Sequence, residues 1–180
     1  MKLTTRDMTE IAIFTALLSV TSWISIPIGG VPITIQTLVV MLIGLFLNPK
    51  NSALSIIAYL IIGSIGIPVF AQGKGGFGVI LGPTGGFLLS FILMVIFISV
   101  MKSVKIINNH IVNIVIVLIV ANLLVYMIGW TYFAVYMEFS IKRTLGILWP
   151  FALADLLKII IATYVYLNMH SYVTYERTLI

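Results

Sequence analysis

Six long apolar runs, separated by short polar or Pro/Gly-rich breaks, dominate the chain. Runs of this length without a regular polar face read as helices immersed in lipid. The first covers about residues 9–26 and ends at Pro27-Ile-Gly-Gly30, where Pro cannot continue a helix and glycine favours a turn. The second covers about residues 33–47 and stops at Asn48-Pro-Lys-Asn51; the third covers about 52–65 and breaks at Gly66-Ile-Pro68. A glycine-rich stretch follows, and the fourth helix spans about residues 84–101. Polar residues 102–109 precede a fifth helix over about 111–137, and a loop at 138–144 precedes a sixth over about 147–169, followed by a short polar tail. The second and third helices are short for a full crossing. The pattern predicts an all-α, polytopic membrane protein with six transmembrane helices and a single domain over residues 1–180. No linker, low-complexity tract, soluble insertion or internal repeat interrupts it.

Composition strengthens this reading. Hydrophobic residues make up 61% of the 180 residues and charged ones 8%, and the mean hydropathy is +1.21. A soluble domain carries about 25% charged residues, so the polar surface that water requires is missing. The apolar run 11–28 is long for a signal peptide and lacks a small-x-small cleavage site, so it reads as an uncleaved first helix. The net charge is +5, but the cations are scattered singly, which argues against nucleic acid. With the N-terminus inside, Lys2, Arg6, Lys50, Lys102, Lys105 and Arg177 are cytoplasmic, and Lys74, Lys142 and Arg143 external. Six against three predicts a multi-pass membrane protein with both termini in the cytoplasm. There is no cysteine, so disulfides, thiolate metal sites and cysteine nucleophiles are excluded.

Four features carry candidate chemistry. Asp155 and Lys158 lie at i, i+3 on one face of the otherwise apolar sixth helix, in Trp149-Pro-Phe-Ala-Leu-Ala-Asp-Leu-Leu-Lys-Ile159. Counted from Ile147, Asp155 falls about 12 Å into that helix, in the outer half of the membrane. Ionisable groups at such depth face a bundle interior or a cavity; the pair is either a ligand site or an ion pair locking the helix. The second feature is the run of nine glycines between Gly63 and Gly86, including Gln72-Gly-Lys-Gly-Gly-Phe-Gly78. Irregular backbone near the membrane is tolerated when it lines a cavity, and Gln72 and Lys74 are its polar groups; the plainer reading is an external loop. The stretch lacks Walker spacing. Third, Thr34, Gln36 and Thr37 mark the outer end of the second helix, in positions equally suited to capping. Fourth, Ala12-Ile-Phe-Thr-Ala16 is a small-x-x-x-small pattern that permits close helix approach, within the bundle or to a partner. Trp23, Trp130, Tyr132 and Trp149 read mostly as interfacial belt residues. His110 and His170 fall at helix ends without a carboxylate and nucleophile nearby, so no catalytic constellation is legible. There is no ATP-binding motif, and energised transport needs a partner.

Together these residues resemble the BioY family, the biotin-specific substrate-capture (S) components of energy-coupling-factor (ECF) transporters. The resemblance spans nearly the whole chain and rests on Val31-Pro-Ile-Thr-Ile-Gln-Thr37, Gly66-Ile-Pro-Val-Phe-Ala71 and Gly82-Pro-Thr-Gly-Gly-Phe87. Tyr126-Met-Ile-Gly129 and Pro150-Phe followed by Asp155-Leu-Leu-Lys158 complete it. Two departures are Ala154, where the family often has Gly, and Phe87, where Tyr is frequent. The resemblance implies a six-helix membrane fold with a vitamin site near the outer surface, contacts from Asp155 and Lys158 to biotin, and docking of the Ala12 and Ala16 face on a transmembrane coupling subunit joined to two ATPase subunits.

The ligand's chemistry suits these residues. Asp155 can accept from a ureido N–H in a charge-assisted bond; Lys158 or Lys74 can meet the ureido carbonyl or the carboxylate; Phe70 and Tyr126 can wall the apolar part. The expected ligand-binding set is Asp155, Lys158, Gln72, Lys74, Gly75, Gly76, Phe70, Tyr126 and Gln36. No cofactor, metal or enzymatic activity is expected. The partners expected are biotin, membrane lipid and the ECF subunits, with no nucleic acid. Three other readings stand beside this one: a capture component for thiamin or riboflavin, a small membrane enzyme acting on lipids, and an assembly subunit in which Asp155 and Lys158 form a locking pair.

Overall fold

A computed structural model of the chain describes residues 3–28 and 31–177; the side chains at positions 141, 145 and 170–177 lie outside the described set. The elements are α1 (Thr5–Thr21), β1 (Ser25–Ile28), β2 (Val31–Thr34), α2 (Gln36–Phe46), α3 (Pro49–Ser64), α4 (Phe77–Leu81), α5 (Gly85–Met101), α6 (His110–Tyr136) and α7 (Ile141–Arg177), with one 3-10 turn at Ala71–Gly73. Local chemistry sets several starts. Thr4 and Asp7 form a capping box on α1, with Asp7 N donating to Thr4 Oγ1 at 3.1 Å and Thr4 N to Asp7 Oδ2 at 2.9 Å. Asn48 caps α3, where Pro49 takes the first helical position. Asn109 Oδ1 accepts from Ile111 N and Val112 N at the start of α6.

The expected helices are present with shifted bounds, and three differences matter. The first helix does not run to Ile26. It stops at Thr21, and residues 25–28 and 31–34 pair as antiparallel strands in which Pro27 faces Pro32 and Ile28 faces Val31. β-Branched Ile, Val and Thr favour the pleated backbone. The register puts the two prolines opposite each other at a pair that exchanges no ladder hydrogen bonds, so neither missing N–H is needed. Gly29 and Gly30 of the predicted turn lie outside the described residues. The last helix begins at Ile141 and not at Ile147, and it continues to Arg177 in place of a polar tail. It carries Pro150 within it, at the cost of one intrahelical bond. Asp155 therefore lies about 21 Å along the helix and not 12 Å.

α2 is the centre of the bundle. Seven of its eleven residues are buried, and it packs against α1, α5 and α7. Val39, Val40, Met41 and Ile43 join Phe91, Met94 and Ile98 of α5, Ile114, Leu118 and Ala121 of α6, and Ile159 and Ala162 of α7 in one core. The outer faces stay apolar: Leu93 (53% exposed), Ile160 (64%) and Tyr164 (69%) point away from the core. An outward apolar coat of this extent suits lipid and not water. α6 and the stretch Lys142–Met169 are long and apolar enough to cross a membrane; α2 and α5 are shorter apolar helices.

Lys102, read in the sequence only as a topology charge, has a structural task. Its Nζ donates to the carbonyls of Gly44, Leu45 and Leu47 at 3.1, 2.7 and 2.7 Å, closing the C-terminus of α2 from the end of α5. A cation there complements the helix dipole and satisfies end carbonyls. Lys102→Met is expected to lose about 1–3 kcal/mol, read as a lower thermal midpoint of the detergent-solubilised protein.

Candidate functional site

α2, α5, α6 and α7 diverge at one end of the bundle and leave a cavity of about 280 Å³. The N-terminus of α2 supplies Gln36 and Thr37, β2 forms one rim, and the loop after α3 brings Phe70, Gln72 and Lys74. α5 adds Phe87 and Phe91, α6 adds Tyr126 and Trp130, and α7 adds Phe151, Asp155 and Lys158. A mostly apolar concavity with a few convergent polar groups is the usual form of a small-molecule site.

The polar end is a connected cluster. Lys158 Nζ lies 2.7 Å from Asp155 Oδ1 and 2.8 Å from Thr37 Oγ1. Thr37 Oγ1 donates in turn to Asp155 Oδ1 at 3.1 Å, and Tyr126 OH donates to Asp155 Oδ2 at 2.5 Å. The Asp155 and Lys158 side chains are only 6% and 13% exposed. Counting valences identifies what is left. An ammonium has three protons and a carboxylate about four lone-pair sites, two on each oxygen. Among the described residues, Lys158 uses two protons, Asp155 Oδ1 accepts two bonds and Oδ2 accepts one. One donor on Lys158 and one acceptor on Asp155 remain at the cavity wall.

The loop wall is fixed from behind. Gln36 Nε2 donates to Tyr59 OH at 2.7 Å, and Tyr59 OH donates to Val69 O at 3.0 Å. Ser22 Oγ, at the C-cap of α1, donates to the same carbonyl, and Trp23 Nε1 donates to Pro68 O at 2.6 Å. Phe70 is thereby held 1% exposed, edge-on to Tyr59 with ring centroids 5.3 Å apart.

Of the expected ligand residues, seven line one cavity: Gln36, Phe70, Gln72, Lys74, Tyr126, Asp155 and Lys158. Gly75 and Gly76 are outside its lining. Gly76 takes φ +99°, and a side chain on Gly75 would come within 2.5 Å of Ile67 O, so both shape the loop that carries Gln72 and Lys74. Gln72 itself holds a left-handed φ of +63°. Ala12 and Ala16 lie elsewhere, on the outward face of α1 beside exposed Ile13, Leu17 and Val20, while Thr15 and Leu18 turn inward.

Two lining residues have roles here that differ from those the sequence suggests. Thr37, read as a helix-end cap, bonds both members of the charged pair. Trp130, read as an interfacial belt residue, is 4% exposed and packs edge-to-face against Phe87, Phe133 and Phe151. The available signal was spacing: Trp130 follows Tyr126 by four residues, on the same face of α6. Trp23 and Trp149 are 59% and 62% exposed, as belt residues should be. The side chain of His170 lies outside the described residues.

Comparison with known proteins agrees with this architecture. The sequence matches the BioY family model over residues 1–175. It is 39% identical over 153 residues to a probable biotin transporter BioY of Pyrococcus horikoshii, covering 85% of this chain and 89% of that protein. It is 40% identical over 162 residues to biotin transporter BioY2 of Lactococcus lactis, covering 87% and 86%. Among solved structures, the S-component for biotin from an ECF-type ABC transporter superposes with a TM-score of 0.85 at 27% identity, covering 94% of this chain and 95% of that one. The chain belongs to the BioY family.

Proposed function

We propose that this protein is the biotin-binding S component of an ECF-type importer. It captures the vitamin at the outer face of the plasma membrane and delivers it inward with a coupling subunit and two ATPase subunits. It crosses the membrane six times with both termini in the cytoplasm. Its work is transport and not catalysis. The observation that carries the reading is the pair of open valences at the buried end of the cavity. A ureido group presents an N–H beside a carbonyl, and Asp155 Oδ2 and Lys158 Nζ offer one acceptor beside one donor. Charge-assisted bonds of this kind are about twice as strong as neutral ones. Phe87, Phe91 and Phe70 offer apolar contact for the thioether ring and alkyl tail. Lys74, the other cation in the lining, sits at the exposed end, where it meets the carboxylate. Gln72 and Gln36 bracket the mouth and the rear wall, and Gly75 and Gly76 set the loop. The face of α1 around Ala12 and Ala16 docks on the coupling subunit through close helix contact. The names carried by the relatives and by the solved neighbour support the same ligand.

The test is calorimetric titration of the purified protein. Biotin is expected to bind with a stoichiometry of one, and thiamin and riboflavin at equal concentration are expected to leave that binding unchanged. Absence of biotin heat, or displacement by either competitor, overturns the reading.

A further inference from the structure

We propose that a crevice between α6 and α7 seats an acyl chain of an anionic phospholipid, whose phosphate is held by Arg143 and Lys142. The crevice opens sideways between the two helices at the same end of the bundle as the cavity. Its apolar lining is Leu123, Met127, Ala134 and Val135 of α6, Phe139, and Leu148 of α7, and its polar lining is Thr131, Glu138 and Thr144. Its α6 side chains face outward, with Met127 68% and Val135 76% exposed. A lipid-facing apolar furrow is filled by acyl chain, because the alternative is an empty void at packing density. The headgroup follows from charge, because the cations Lys142 and Arg143 outnumber Glu138, the one carboxylate in the lining. The Arg143 guanidinium lies 3.8 Å from the centroid of the Phe139 ring, which forms the crevice end. It makes no ion pair: the salt bridges among the described residues are Arg6 with Glu10 and Lys158 with Asp155. Lys142, its exposed neighbour, makes none either. A planar guanidinium, stacked on an aromatic ring with its N–H fork free, is suited to bidentate phosphate recognition. It stands where a chain lying in the crevice would emerge.

The crevice and the cavity share a wall made by Tyr126 and Trp130. That wall supplies the readout. The chain has three tryptophans, and a Trp23→Phe/Trp149→Phe protein leaves Trp130 as the only tryptophan, excited selectively over the tyrosines, with the circular-dichroism spectrum and the thermal midpoint as its fold check. It is placed in phosphatidylcholine nanodiscs with rising fractions of lipid brominated in the acyl chains. Brominated phosphatidylglycerol is expected to quench Trp130 at a mole fraction several-fold lower than brominated phosphatidylcholine. Arg143→Gln is expected to reduce that preference by roughly fivefold, the increment for one cation facing an anionic headgroup, and Arg143→Lys to retain part of it. Superimposable curves for the two headgroups, no quenching by either, or an unchanged preference in Arg143→Gln overturns the proposal.

Discussion

Asp155→Asn is expected to weaken biotin binding by roughly thirtyfold to several thousandfold, the range for removing one partner of a buried, hydrogen-bonded charge pair. The amide keeps the shape of the carboxylate but replaces one acceptor with an N–H₂ donor. It must then face either the Lys158 ammonium or the Tyr126 hydroxyl, both of which donate to Asp155. The same change strands the Lys158 charge in a site only 13% exposed, and breaking a buried pair in this way costs about 3–5 kcal/mol of stability. A double variant, Asp155→Asn/Lys158→Met, separates the two effects. It removes both charges, so stability is expected to recover in large part while affinity stays low. Calorimetry and thermal melting on the three proteins check this. If affinity survives in Asp155→Asn while stability falls, the pair is a structural lock and the ligand lies elsewhere.

The second large effect is expected at Gly85, the first residue of α5. A Cβ there would stand 1.7 Å from Ile80 O. That atom is backbone, within the last turn of α4 just before residues 82–84, and no rotamer change relieves the clash. Gly85→Ala is expected to cost about 3 kcal/mol, the upper part of the range for overpacking, and to lower biotin affinity because Gly82, Pro83 and Thr84 line the cavity. Gly146→Ala is the matched control. Nothing lies within 4 Å of its added Cβ, and alanine is favoured over glycine in a helix, so its melting temperature is expected to hold or rise. Equal melting temperatures for wild type and Gly85→Ala would contradict the packing argument.

Much of this arrangement was legible in the sequence. Apolar runs broken at Asn48-Pro, Gly66-Ile-Pro68 and residues 102–109 located the main helices, because lipid demands uninterrupted apolar helices and their ends demand polar or Pro/Gly residues. Asp155 and Lys158 stood out because two charges at membrane depth need a partner or a cavity. What stayed hidden depends on tertiary contact. The strand pair looked like the frayed end of one apolar helix, since Ser25-Ile-Pro-Ile28 is apolar in either conformation and only pairing with Val31-Pro-Ile-Thr34 distinguishes them. The start of α7 lies six residues earlier because Lys142, Arg143 and Thr144 read as part of a polar loop, although they form the first turn of the helix. Thr37 reads as a cap until α7 brings Asp155 and Lys158 to it, from 118 and 121 residues away.

The Val69 carbonyl behaves like a survey mark. Its two lone pairs are taken by Ser22 at the end of α1 and by Tyr59 of α3, and Tyr59 is itself tied to Gln36 at the start of α2. One point on the loop is thus sighted from three helices at once. A tilt of α1 against α2 and α3 must either carry Phe70 and the cavity wall with it or break one of these bonds, each worth about 0.5–1.5 kcal/mol. The shape of the cavity is therefore a gauge of how those helices stand to one another, readable in the affinity for whatever the cavity holds.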